Sequence, residues 1–224
     1  MESLKHLHKL MDESIITILG YEIKNEDIKD EFISRLKHYN VGEINSSFDV
    51  KSTIRDIKLD SILGDNEKCD YLHLDVMNIV LDKEKDDKFT SLSKSRKIHE
   101  ILEVFRQELL KKWEQQNHTE FGLDFDDPTS HQQIKFEPDY KLIVTAPLYR
   151  RPNTGNLSRN AFTGGDTMMF TADLVGVIEG GKLFSDPYIK LIKNRQGSNI
   201  DINIDDITNT VKRNRKLSSI LPKI

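Results

Sequence analysis

Three apolar runs in this sequence end on polar groups, and each reads as a buried strand. Ile15-Ile16-Thr17-Ile18-Leu19-Gly20-Tyr21 runs into Glu22, Tyr71-Leu72-His73-Leu74 into Asp75, and Leu142-Ile143-Val144-Thr145-Ala146 into Pro147 and then Arg150. In an α/β sheet, functional groups collect at the carboxyl ends of parallel strands. A carboxylate at Glu22 is placed there to orient water or accept a proton. An acid that ends Tyr-Leu-His-Leu-Asp is placed to reach a hydrated Mg2+ beside a nucleotide phosphate. Taken singly, each acid serves equally as a helix N-cap or a solvated loop residue, because short motifs are weak.

The elements that must position these groups alternate. Leu4, Leu7, Leu10 and Met11 have helical spacing before the first strand. Asn25 can cap a second helix, whose apolar face is Ile28, Phe32, Ile33 and Leu36. A short extended piece near 47–50 and a helix from about Lys51 to Leu63, stopped by Gly64, precede the Asp75 strand. Ile98, Ile101, Leu102, Phe105, Leu109 and Trp113 share one face of a long helix, about 91–116. Residues 117–138 are polar, with Gly, Pro and an acidic cluster, and read as an insertion or mobile loop. Later strands are expected at 172–178, 188–193 and 199–204. The order predicts an α/β fold, with a mostly parallel sheet flanked by helices and antiparallel C-terminal strands. One domain over 1–205 is the simplest organisation, with 206–224 as a polar, partly basic tail.

Composition narrows the classes. The chain has 224 residues, 37% hydrophobic and 31% charged, and its apolar runs fall far short of the ~20 residues that span a bilayer. No secretory signal is visible at the start, and the single cysteine, Cys69, excludes an internal disulfide and a thiolate metal site. The expected setting is reducing and cytoplasmic, with no membrane partner. The net charge of −4 is uneven: residues 141–224 hold 13 Lys+Arg against 7 Asp+Glu, and the first 140 hold 20 against 30. Any polyanion therefore belongs to the basic C-terminal third.

In order, the segments resemble RecA-fold replicative DNA helicases, those of T4-like phages and their bacterial relatives. ITILGYEI with its following helix resembles the strand that ends in the catalytic Glu, and YLHLD the Walker B strand. LIVTAPLYRR resembles the nucleotide-sensing strand that leads to a DNA-facing loop. FTADLVGVIE followed by IKLIKNRQG resembles the strand pair that ends in Lys-x-Arg-x-Gly. The resemblance implies ATP and Mg2+ as cofactors, with Glu22 activating the attacking water and Asp75 holding Mg2+ through water. It implies that Lys193 and Arg195 reach the γ-phosphate of ATP on a neighbouring subunit of a hexameric ring. It places Arg150, Arg151 and Arg159 against single-stranded DNA phosphates, with other replication proteins as partners.

Three features depart from that pattern. No Gly-x-x-x-x-Gly-Lys-Ser/Thr occurs in the chain, Pro147 stands where a polar sensor is usual, and 117–138 lengthens a short connection. The resemblance puts the missing phosphate loop just before the helix at 1–12, so the ATPase core reads as N-terminally incomplete. A non-catalytic or split RecA-fold subunit, paired with a separately encoded P-loop piece, is the alternative, as is a phage-type recombinase. A metal-dependent nuclease built on Asp173 and Asp186 fails on spacing, because Tyr188 stands where its lysine belongs.

Overall fold

In the computed structural model the described residues are 2–36, 38–40, 70–78, 96, 98–107, 110–111, 141–148, 162, 167–180, 186–195 and 197–220. The extended piece and helix expected over 47–63, the 117–138 insertion, and Arg150, Arg151 and Arg159 lie outside them.

The chain runs α1 (Glu2–Asp12), β1 (Ile16–Tyr21), α2 (Glu26–Ser34), β2 (His38–Asn40), β3 (Tyr71–Asp75), α3 (within 98–107) and β4 (Lys141–Pro147). It continues as α4 (Thr167–Thr171), β5 (Leu174–Glu179), β6 (Tyr188–Asn194), β7 (Asp201–Asn203) and α5 (Asp205–Ile220). The strands form one seven-stranded sheet in the order β2-β3-β4-β1-β5-β6-β7. The first five positions are parallel to their neighbours, and β6 and β7 join as antiparallel strands. The fold is therefore α/β, with a mostly parallel sheet and an antiparallel C-terminal edge.

The period-two geometry of a strand sends alternate residues to opposite faces. One face buries Ile16 and Ile18 of β1, Leu72 and Leu74 of β3, and Val144 of β4 against Ile98, Ile101, Leu102 and Phe105 of α3. The other buries Leu19 and Tyr21 of β1 against Leu7 and Met11 of α1, Phe32 and Ile33 of α2, and Ile207 and Val211 of α5. Strands buried on both faces read as continuous apolar runs, which is why β1 and β4 were visible in the sequence.

The last segment differs from expectation. Residues 206–224 read as a polar tail, yet Asp205–Ile220 is helical, and Ile207, Thr208 and Val211 are buried on the sheet. Three inward residues in the first two turns suffice to dock a helix whose remainder is exposed and basic. The strand at His38–Asn40 also had no sequence signal, since three residues are too few to show a period.

Topology selects one region of the sheet edge. The connection after β1 carries α2 to one face, and that after β4 reaches Phe162 and α4 on the other. β1 and β4 are adjacent, so their outgoing loops diverge, and open α/β sheets bind ligands in such a crevice.

Candidate functional site

Glu22 follows β1 directly, at this divergence. Its carboxylate pairs with Lys24 at 2.8 Å, and its carbonyl accepts the Asn25 N–H at 2.7 Å. Ile23–Asn25 forms a single 3-10 turn that runs straight into α2. Asn25 precedes α2 as expected, but its side chain makes no cap; Nδ2 donates to the Ile178 carbonyl at 3.4 Å instead. A phosphate loop at such a position needs glycines, several inward N–H groups and a positive helix N-terminus. The connection Glu22-Ile23-Lys24-Asn25 has no glycine, and the first turn of α2 carries Glu26 and Asp27. Those carboxylates take up the helix dipole and repel an incoming phosphate.

Asp75 ends β3 as the sequence implied, on the face that α2 covers. Its Oδ2 accepts from Lys29 Nζ at 2.9 Å and its Oδ1 from the Met77 N–H at 2.9 Å. Lys29 comes from α2 and also pairs with Asp30 at 2.6 Å. The Lys29 and Asp75 side chains are only 5% and 7% exposed. Burial alone pulls an ammonium's pKa down, but the hydrogen bonds to Asp30 and Asp75 outweigh it, and Lys29 lies above the usual lysine value. Its Nζ stands 5.1 Å over the ring centroid of Tyr21, the last residue of β1. Burial, reinforced by the Asp75 charge, pushes the Tyr21 hydroxyl up to about 12. Beside them His73 Nε2 and Thr145 Oγ1 are 2.9 Å apart, which links β3 to β4. A cleft of about 370 Å³ opens onto this cluster, lined in part by Glu26, Lys29, Asp30, His73 and Asp75.

Beyond β4 the crevice is sealed by apolar groups. The Leu148 N–H donates to the Tyr21 carbonyl at 2.8 Å, and Leu148 bridges to Phe162. The buried Phe162 ring lies where a side chain on Gly20 would be: a Cβ there would meet Phe162 Cε1 at 2.5 Å. Pro147 pairs in register with Tyr21, at the end of the same strand.

Lys193 and Arg195 lie at the end of β6, away from Asp75 in the strand order. Lys193 Nζ donates to the carbonyls of Met169 at 2.6 Å and Phe170 at 3.2 Å. Arg195 donates to the Phe170 carbonyl at 3.2 Å and pairs with Asp173 at 3.0 Å. The two cations thus satisfy the carbonyls that end α4, where cations are favoured. Burial, then the Arg195 charge, lowers the Lys193 pKa. Asp173 also accepts the N–H groups of Ile15 and Ile16, at 3.0 and 3.1 Å, so it joins β1, β5 and β6. Asp186 pairs with Lys212. Among the described residues no cluster of three or more His, Cys, Asp or Glu is arranged to hold a metal. Nor is any helix among them long and apolar enough to cross a membrane.

The structure brings Asp75 to the strand ends near Glu22 and holds Lys193 and Arg195 together elsewhere. Lys29 is the residue that sequence reasoning missed. Its signal was available: it stands three and four residues before Phe32 and Ile33, on the apolar face of α2, where a lysine needs a partner.

A scan against protein-family models found no match, and a search of curated proteins found none either. Among solved structures the chain is similar to the ATPase domain of a replicative helicase, at 10% identity and a TM-score of 0.46. That alignment covers 86% of this chain and 82% of the other. The likeness is distant and too low to carry a functional argument.

Proposed function

We propose that this chain is a RecA-type α/β subunit that works in an assembly on single-stranded DNA and does not itself hold ATP. The observation that carries this reading is the buried Lys29–Asp75 pair. Asp75 is the one residue the resemblance assigns to Mg2+, and both its oxygens are engaged within the chain. Mg2+ loses water reluctantly and is usually held by carboxylates together with phosphates. The residues here do not fit that role, because the β1–α2 turn offers no phosphate cradle and Asp75 already has a cation. The fold assignment itself is supported by the order of the sequence segments and by an acid at the end of β3.

A second reading keeps the chain as the motor portion of an ATP-driven replicative helicase, completed by a separately encoded P-loop piece. Arg195 favours it, since its side chain is 54% exposed beside Phe170, a large apolar residue that is 77% exposed. In that reading Glu22 orients the water, Lys193 and Arg195 serve a neighbouring subunit in a hexameric ring, and Arg150, Arg151 and Arg159 face DNA.

Titration of the purified chain with a fluorescent ATP analogue, and ATPase assays with and without single-stranded DNA, test the proposal. No saturable nucleotide binding and no turnover are expected. Turnover by the lone chain would overturn it.

A further inference from the structure

The Lys29 ammonium lies in a cation cage. Asp75 Oδ2 is 2.9 Å from it, Asp30 Oδ1 2.6 Å, and the Tyr21 ring face 5.1 Å, so two carboxylates and an aromatic face converge on one nitrogen. We infer that the Lys29 ammonium is a resident cation that fills the position of a divalent ion at Asp75, so that this edge of the sheet holds together without Mg2+. The inference rests on the proposed function and deepens it by naming what occupies the metal position.

Three observations carry it. First, Asp75 is buried, and a buried carboxylate needs a counter-charge whatever else the site does. Second, the counter-charge arrives on α2, the helix that follows the β1 turn, so strand, turn and helix are tied to β3 by one ion pair. Third, the ammonium has three donors, which is enough for both carboxylates, whereas a metal would have to displace it or share them. The cleft of about 370 Å³ beside the cage contains Glu26, Asp30 and Asp75. Removing the lysine arm would therefore leave acidic oxygens facing a space large enough for a hydrated ion.

Thermal unfolding of the full chain in EDTA and in excess Mn2+ tests this. Wild type is expected to melt at the same temperature in both. Lys29→Ala should melt lower in EDTA and recover about 4 °C or more in Mn2+, while Lys29→Ala with Asp75→Asn should not recover. Lys29→Arg, which keeps the charge, should remain indifferent to metal. A wild-type chain stabilised by Mn2+ through Asp75, or a Lys29→Ala chain that Mn2+ does not rescue, would overturn the inference. If Lys29→Ala does not fold in EDTA, its refolding yield in Mn2+ and the wild-type comparison still decide. Nucleotide binding by a metal-indifferent wild type would instead overturn the proposed function and leave Lys29 in place.

Discussion

Lys29 Nζ and Asp75 Oδ2 are 2.9 Å apart, and their elements are separated by 46 residues of chain. The pair therefore joins α2 to the end of β3 across the parallel sheet. Burying either charge alone is far more costly than burying both together. Lys29→Met should destabilise the chain by about 3–5 kcal/mol, because it strands a buried carboxylate. Lys29→Met combined with Asp75→Asn should recover most of that loss, since the amide oxygen still accepts the Met77 N–H. Urea unfolding of the two single variants and the double variant measures this; a double variant no more stable than Lys29→Met would refute the coupling.

The same pair gives an alkaline limit. Tyr21 holds its proton up to about 12 in the folded chain, against an ordinary value of 10.0. Lys29 likewise holds its proton above the ordinary 10.5. In both cases the unfolded chain releases the proton first, so the folded state binds more protons above pH 10, and stability falls as pH rises. The contribution is complete below the unfolded values and lost on passing the folded ones. Denaturation midpoints should not change on this account between neutral pH and about pH 9.5, then drop. Tyr21→Phe should make the drop shallower.

At the other side of the crevice the packing is steric. Gly20→Ala should cost about 1–3 kcal/mol, since its Cβ would meet Phe162 Cε1 at 2.5 Å and Leu148 Cδ2 at 3.1 Å. Gly20→Ala placed in a Phe162→Leu background should cost less than in wild type. Equal costs in the two backgrounds would place the strain elsewhere.

Asp173 and Arg195 should separate when each is removed. Asp173→Ala removes the acceptor of two backbone N–H groups, those of Ile15 and Ile16, and should cost about 2–3 kcal/mol. Arg195→Ala removes a half-exposed ion pair and should cost under about 1 kcal/mol. Circular dichroism during denaturation measures both. Any loss of self-association in Arg195→Ala would then report an interface and not a folding defect.

Much of the frame was legible because buried strands announce themselves. The runs that became β1, β3 and β4 are continuous and apolar, and each ends within a residue of where the sequence put it. The acid at Asp75 was legible for the same reason, as the first polar group past an apolar run. The helix over Asp205–Ile220 was not, because only its first turns carry buried apolar residues and the rest resembles a solvated tail. Lys193 and Arg195 were visible as a pair, but not the α4 carbonyls they bind, because α4 has five residues and no period.

By itself, the sequence determined the α/β alternation, the acid at the end of β3 and the absence of a glycine-rich phosphate loop from these residues. Those are local facts, set by residue type and spacing within one element. Only the tertiary structure decided that β1 lies between β4 and β5, that Lys29 answers Asp75, and that Phe162 closes over Gly20. Each of these joins residues far apart in the chain. Partners of that kind are chosen by sheet order and by the cost of leaving a buried charge or a void unmatched, and neither appears in the spacing of the residues.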